Sequence, residues 1–362
     1  MKLLPSVTKR PIAIEIKPLA LGTVCASLLF GVIACGQPSS TDGNGGTEGD
    51  LPGAGITVTS AHGNLLEERF QTEIVNAGLD RLGYETPTPK ELEYPAMFAA
   101  VGNGDLDYMA VNWERLHSEF YENSGGDEKL VKLGVVAPDL LQGYQIDKAT
   151  ADGKNITNLE QLKDPEIAKL FDTDGNGKAN LTGCNPGWGC ELVIEHHLDT
   201  YGLRDTVEHD QGQYSALIAD TMTRYNEGNP VLFYTWTPYW VGGVLKPGQD
   251  TLWLDVPYTS LPEAQGEVSE ADTTASNGKN LGFVLDRMVV TANQEFADAN
   301  PAAAKLFELV EISVDDINAQ NQLIQEGENT PEDIERHVNE WISNNQAVFD
   351  GWIEQAMEAA QS

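Results

Sequence analysis

Three tryptophans stand where regular elements end. They lie in Val111-Asn112-Trp113, in Asn185-Pro186-Gly187-Trp188-Gly189-Cys190 and in Tyr234-Thr235-Trp236-Thr237-Pro238-Tyr239-Trp240. An indole face attracts a cation, and the attraction suits a nitrogen that carries methyl groups in place of N–H donors. Rings converging from three segments would cage a quaternary ammonium. The competing reading of the same residues is three tryptophans in three separate interiors. Trp113 closes an apolar run, and a strand end at a sheet's carboxyl edge is where open α/β sheets bind ligands. Trp188 lies between two glycines, which lets backbone approach closely. Trp236 closes a second apolar run, and Pro238 prevents its continuation.

An anionic partner site stands beside the second tryptophan. Gly189 and Cys190 open a helix expected over 191–201, so their N–H groups suit a carboxylate. His117, four residues past Trp113, can reach the anionic end of a zwitterion. Taken singly it reads as a surface or core histidine. His196 and His197 point about 100° apart on a helix and cannot chelate as neighbours.

Asp172, Asp174, Asn176 and Asn180 match the opening of a calcium loop, but its twelfth position is Gly183, where a full loop carries glutamate. The other reading is an Asx-rich turn without metal. No Gly-x-Ser-x-Gly, phosphate loop or His-Glu-x-x-His occurs. Acids are abundant but no pair stands out, so no catalytic residue, no cofactor and no enzyme activity is expected.

The chain of 362 residues is long enough for two or three domains, and 41% hydrophobic residues support real cores. Its net charge of -34 argues against nucleic acid and against a basic membrane-binding face. Salt screens such an excess, so a saline habitat accommodates it; so does a merely acidic exported protein.

Residues 1–35 read as an export segment: Lys2, Lys9, Arg10 and Lys17 accompany an apolar run from Leu19 to Ala34. Val32-Ile33-Ala34-Cys35-Gly36 resembles a bacterial lipoprotein processing box, which would leave a lipid on Cys35. An ordinary secretory peptide cut elsewhere is the alternative. Residues 36–54, rich in Gly, Ser, Thr, Asp and Pro, read as a flexible tether. In an oxidising compartment Cys184 and Cys190 are expected to form a disulfide around their Pro-Gly turn. A zinc site would need two more ligands, and none stands at suitable spacing.

These residues need elements to position them. A strand is expected over 55–60, then a helix with Leu66, Phe70, Ile74 and Ala77 on one stripe and Gly83 past its end. A helix from Tyr94 leads to a strand at Leu106–Val111, and this rhythm implies a parallel sheet. Further strands are expected at 130–136, 143–146, 231–236, 281–285 and 288–292. Thr157 and Glu160 read as a capping box. Helices are expected over 191–201 and 214–225, and after the caps Asn300-Pro301 and Thr330-Pro331. Trp341 and Trp352 fall on amphipathic helices and read as core. The sum is an α/β protein of two lobes, 55–147 with 287–362 and 148–286, with a ligand cleft between them.

On Ala110-Val-Asn-Trp113, Lys163–Phe171, Leu181–Cys190, Tyr234–Trp240 and Asp316–Asn321, the chain resembles glycine betaine/proline betaine-binding proteins of ATP-driven osmoprotectant importers, the ProX type. The resemblance runs from Leu51 to the C-terminus. It implies a type II periplasmic binding protein fold with two α/β lobes and two crossovers. It implies that Trp113, Trp188 and Trp236 box a trimethylammonium, and that His117 with the N–H groups of Gly189 and Cys190 meets the carboxylate. The family disulfide matches Cys184 and Cys190. Implied partners are glycine betaine or a related zwitterion, a permease and its ATPase. The location is the periplasm or the outer face of the cytoplasmic membrane. Two features depart from the pattern. Glu114-Arg115 stands where Thr-Pro is expected, which bears on the posture of His117 and on the rim. The lipid anchor departs from soluble members and adds a membrane to the partners. Rival readings are a choline- or carnitine-specific receptor, and an enzyme acting on a choline-like compound.

Overall fold

A computed structural model describes residues 51–361; the export segment, Cys35 and the tether as far as residue 50 lie outside them. Residues 51–54 already pack on the domain. The Gly53 N–H donates to the Leu82 carbonyl at 3.0 Å, and Leu51 lies against Gly83.

Nine strands form one mixed sheet: β1 (Ser60–His62), β2 (Lys90–Glu91), β3 (Tyr108–Trp113), β4 (Leu130–Asp147), β5 (Ala179–Thr182), β6 (Val207–Asp210), β7 (Leu232–Thr237), β8 (Thr251–Trp253) and β9 (Asp286–Asn293). Their order is β2-β1-β3-β9-β4-β7-β5-β6, with β8 also on β4. The parallel rhythm expected at the start holds for β2-β1-β3 and returns for β7-β5-β6. Between them β9 and β4 run antiparallel to their neighbours. A chain that crosses to a second half-sheet and returns must insert such strands.

β4 joins the halves. The two strands expected at 130–136 and 143–146 are one strand of 18 residues. Its first part pairs with β9 and its second with β7 and β8. Asp139, at φ 57°, lies near the change of partner. The apparent break in the sequence, Ala137-Pro138-Asp139, is a kink within one strand.

Smaller expectations shift. The first strand begins at Ser60, and Thr57 only bridges to Glu85. The capping box is Asn158 with Gln161, one residue on, and opens a 3-10 turn. Residues 281–285 are not a strand; the return crossing is β9. Asn300 does not cap through its side chain, which instead donates to the Phe296 carbonyl at 2.9 Å. Thr330 and Asp333 form the expected box. Trp341 and Trp352 are buried and stacked with ring centroids 5.8 Å apart.

Two helices of the first half bear on the site: α1 (Leu66–Arg81) and α2 (Tyr94–Gly102). Phe70, Ile74 and Leu79 are buried, as the apolar stripe requires, and Gly83 at φ 89° follows the C-cap. The acidic first turn, Glu67-Glu68, is buried too, against the ordinary rule that charged residues face water. No helix of the described residues is long and apolar enough to cross a membrane.

Candidate ligand cage

The ends of β3 and β7 and the start of the helix Gly189–Thr200 meet around one small cavity. Trp113, Trp188, Trp236, His117, Gly189 and Cys190 all line it. The three indoles come from distant segments and share one void. Trp188 and Trp236 stand 5.8 Å apart with planes 73° apart, the corner of a box. Each of the three is less than 8% exposed: 7% for Trp113, 5% for Trp188 and 5% for Trp236.

Each ring is held from behind. Trp113 pairs with Met288 across β3 and β9, and β3 is buried along its whole length. Trp236 lies against Tyr239 at 4.2 Å and Tyr214 at 4.7 Å. The Tyr214 hydroxyl donates to the Tyr234 carbonyl at 2.8 Å, and that of Tyr234 to the Gln142 side chain at 2.8 Å. The Trp188 turn is fixed by a Cys184–Cys190 disulfide and by the Gly187 N–H donating to Glu191 at 2.6 Å.

One end of the cavity has three donors. No protein group accepts from the N–H groups of Gly189 and Cys190 among the described residues. A helix start with free N–H groups carries partial positive charge. His117 completes the set. The Trp113 N–H donates to its Nδ1 at 3.2 Å, and the ring is 1% exposed. Burial pushes its pKa down to about 3, so the ring is neutral at physiological pH. A neutral imidazole that accepts at Nδ1 carries its proton on Nε2.

The loop before His117 is pinned by Asp286. That carboxylate accepts the N–H groups of Arg115 (3.1 and 3.2 Å), Leu116 (3.0 Å) and Arg287 (2.8 Å). Burial outweighs these bonds and pushes its pKa up to about 6. The unexpected Glu114-Arg115 pair turns away from the cavity. Glu114 pairs with Arg287 at 2.6 Å and Lys132 at 3.8 Å. The Arg115 guanidinium donates to the Gln265 carbonyl at 2.9 Å. Neither charged side chain lines the cavity beside His117.

Gly189 serves a purpose beyond ligand approach. A Cβ there would lie 2.7 Å from both the Cγ and the carbonyl oxygen of Leu116, and 3.3 Å from His117 Cδ2. Only glycine lets the helix start close on the His117 loop.

Other expected residues stand apart from the cavity. Asp172 accepts from the N–H groups of Asp174, Gly175 and Gly177 at 3.2, 2.7 and 2.8 Å. The Asn176 side chain accepts from Lys178 at 2.8 Å, and that of Asn180 from Thr173 at 2.8 Å. That is the Asx-rich turn. Among the described residues no group of three His, Cys, Asp or Glu side chains is placed to hold a metal ion. His197 bonds to the Tyr144 hydroxyl and the Ser260 carbonyl in the core.

Residues 56–344 match the family described as the substrate binding domain of ABC-type glycine betaine transport systems. This chain belongs to that family. It is 52% identical over 312 residues to the glycine betaine-binding periplasmic protein OusX of Dickeya dadantii (strain 3937), covering 86% of this chain and 93% of the relative. It is 51% identical over 310 residues to the glycine betaine/proline betaine-binding periplasmic protein of Escherichia coli (strain K12), with the same coverage of 86% and 93%. In fold it is similar to a ProX crystal structure from Borrelia burgdorferi, with TM-score 0.65 and 18% identity over 84% of this chain and 99% of that one. Lactococcal OpuAC, in its closed-liganded conformation with glycine betaine, superposes with TM-score 0.62 and 18% identity over 82% and 99%. The family is one of substrate-binding transport proteins, and the fold is that of periplasmic binding proteins.

The cage of this binding protein has members that its sequence does not announce. Tyr94 adds a fourth aromatic ring, 6.0 Å from Trp188, and packs on His117 at 4.3 Å. Its hydroxyl donates to Glu68, which also accepts the Gly63 N–H at 2.7 Å. Glu67, Gln71, Gln142 and Met288 line the same cavity. Read as letters, Glu67-Glu68 is an ordinary acidic first turn and Tyr94-Pro95 an ordinary helix start. The sequence alone suggests a cage free of buried acids; the fold brings two to it.

Proposed function

We propose that the protein is the extracytoplasmic receptor of an ATP-driven importer and captures glycine betaine or a close methylated relative such as proline betaine. The observation that carries this reading is the shared cavity of Trp113, Trp188, Trp236 and His117 at the start of the Gly189–Thr200 helix. The trimethylammonium sits among the indoles, where each cation–π contact contributes about 0.5–2 kcal/mol. The carboxylate accepts from His117 Nε2–H and from the N–H groups of Gly189 and Cys190. Methyl groups lose little on leaving water, whereas ammonium loses strong hydration, and this asymmetry selects the methylated ligand.

The lobes 55–147 with 287–362 and 148–286 close on the ligand, and the closed form docks on a permease driven by its ATPase. The reading includes no chemical conversion. A lipid on Cys35 holds the protein at the outer face of the cytoplasmic membrane. Replacing Cys35 with Ser should release it from washed membranes, and retention there would remove the anchor from the account.

Titration calorimetry with glycine betaine, proline betaine, choline and carnitine tests the assignment. Saturable binding of a betaine, stronger than that of choline, is expected. Choline binding more tightly than either betaine would favour the choline-specific alternative. Turnover of any of the four would overturn the receptor reading.

A further inference from the structure

Glu67 occupies an unusual place. It stands in the first turn of α1, is 5% exposed, and one of its carboxylate oxygens, Oε1, has no hydrogen-bond partner. It lines the ligand cavity and also an outer groove of about 710 Å³. No Lys or Arg lines either space. The groups that face it are acidic or neutral. Glu68 adjoins it on α1, Tyr94 faces it from α2, and Tyr239 faces it from beyond β7. His117 from the β3 loop borders the cavity, and Asn321 from the helix Val314–Gln325 borders the groove. Glu67 shares the cavity with Trp113, Trp188 and Trp236, and Tyr239, which faces it, packs on Trp236. A carboxyl so enclosed, with an open oxygen and no protein cation, needs either a proton or a cation from elsewhere.

We propose that Glu67 is the counter-charge of the quaternary ammonium, protonated in the ligand-free protein and ionised when the cation enters the tryptophan box. The proposal rests on the ligand reading above. In the step the carboxyl O–H bond breaks, its electron pair stays on Glu67, and the proton passes to buffer through the outer groove. Burial, and after it the neighbouring Glu68, push the Glu67 pKa up to about 8, so the ligand-free carboxyl is mostly protonated near neutrality. Glycine betaine has no group that titrates between pH 6 and 9, and the His117 pKa of about 3 keeps that ring out of this window. Its selectivity would then combine indole faces with one ligand-induced charge.

Calorimetry of glycine betaine in phosphate and in Tris at pH 7, buffers of different ionisation enthalpy, reads the proton directly. Close to one proton released per ligand is expected, with affinity about tenfold tighter at pH 9 than at pH 7. Glu67→Gln, folded by its melting temperature, should bind with no proton release and no pH slope. Glu68→Gln should still release the proton. Binding by the unaltered protein without proton release would overturn the proposal and leave the ligand reading intact. So would release that persists in Glu67→Gln or vanishes only in Glu68→Gln. Absence of any glycine betaine binding would overturn both.

Discussion

The backbone N–H of Trp113 donates to Nδ1 of His117 at 3.2 Å, and the His117 N–H returns a bond to the Trp113 carbonyl at 2.9 Å. Trp113 thus sets the tautomer of a second residue that lines the same cavity. In the proposed binding mode, one turn of chain after β3 serves both ends of the zwitterion.

Removing that imidazole should therefore separate ligands by their anionic end. His117→Ala is expected to weaken glycine betaine by about 1.5–3 kcal/mol, the worth of a hydrogen bond to a charged group. Choline, which has no carboxylate, should bind almost as before. Calorimetry with both ligands checks this, and an equal loss for both would refute the role.

Gly189→Ala should block closure without unfolding either half. The added methyl meets the Leu116 backbone carbonyl at 2.7 Å, and backbone cannot swing aside as a flexible side-chain tip can. At least a tenfold loss of glycine betaine affinity is expected, with a more extended ligand-bound form in small-angle scattering. Wild-type compaction in the variant would sink the argument.

Two side chains next to the cage bond to the segment 263–265. Arg115 donates to the Gln265 carbonyl at 2.9 Å and Ser118 to the Ala264 carbonyl at 2.7 Å. Replacing both with alanine should raise the ligand off-rate several-fold, since bonds made in the closed form act mainly on release. Stopped-flow tryptophan fluorescence measures it. An unchanged off-rate with a slower on-rate would assign these bonds to another state.

The buried carboxyl of α1 also predicts a pH signature of the ligand-free protein. The folded-state pKa of Glu67, about 8, lies above the ordinary glutamate value of 4.5. The folded form therefore binds more protons between these values, and stability falls as pH rises from 4.5 to 8. Glu67→Gln should remove this cost: its melting temperature should exceed that of the unaltered protein at pH 8 and match it near pH 4.5. Thermal melts across that range decide it, and parallel curves would refute the burial argument.

Much of this protein is local and so legible in the chain. The stripe of α1, the Thr330 box, the Asx turn at Asp172 and the tryptophans at strand ends depend on neighbours within a few residues. The Cys184–Cys190 loop is equally short-range. The resemblance carried the site further, because its motifs name residues from three segments at once.

What the chain could not express was adjacency across distance. Nothing in Glu67-Glu68 tells that α1 turns its first turn inward, because periodicity records which face is apolar and not what closes over it. The length of β4 was hidden by Pro138 and Asp139, whose local preference for a turn is overruled by pairing to β9 on one side and β7 on the other. The free N–H groups of Gly189 and Cys190 were a sequence-level expectation, yet only tertiary packing put the Leu116 carbonyl where no side chain at 189 fits. Sequence determined the indoles, the imidazole and the free N–H groups; the folded chain decided which of them share one enclosure, and burial there set the charge of His117 and Glu67.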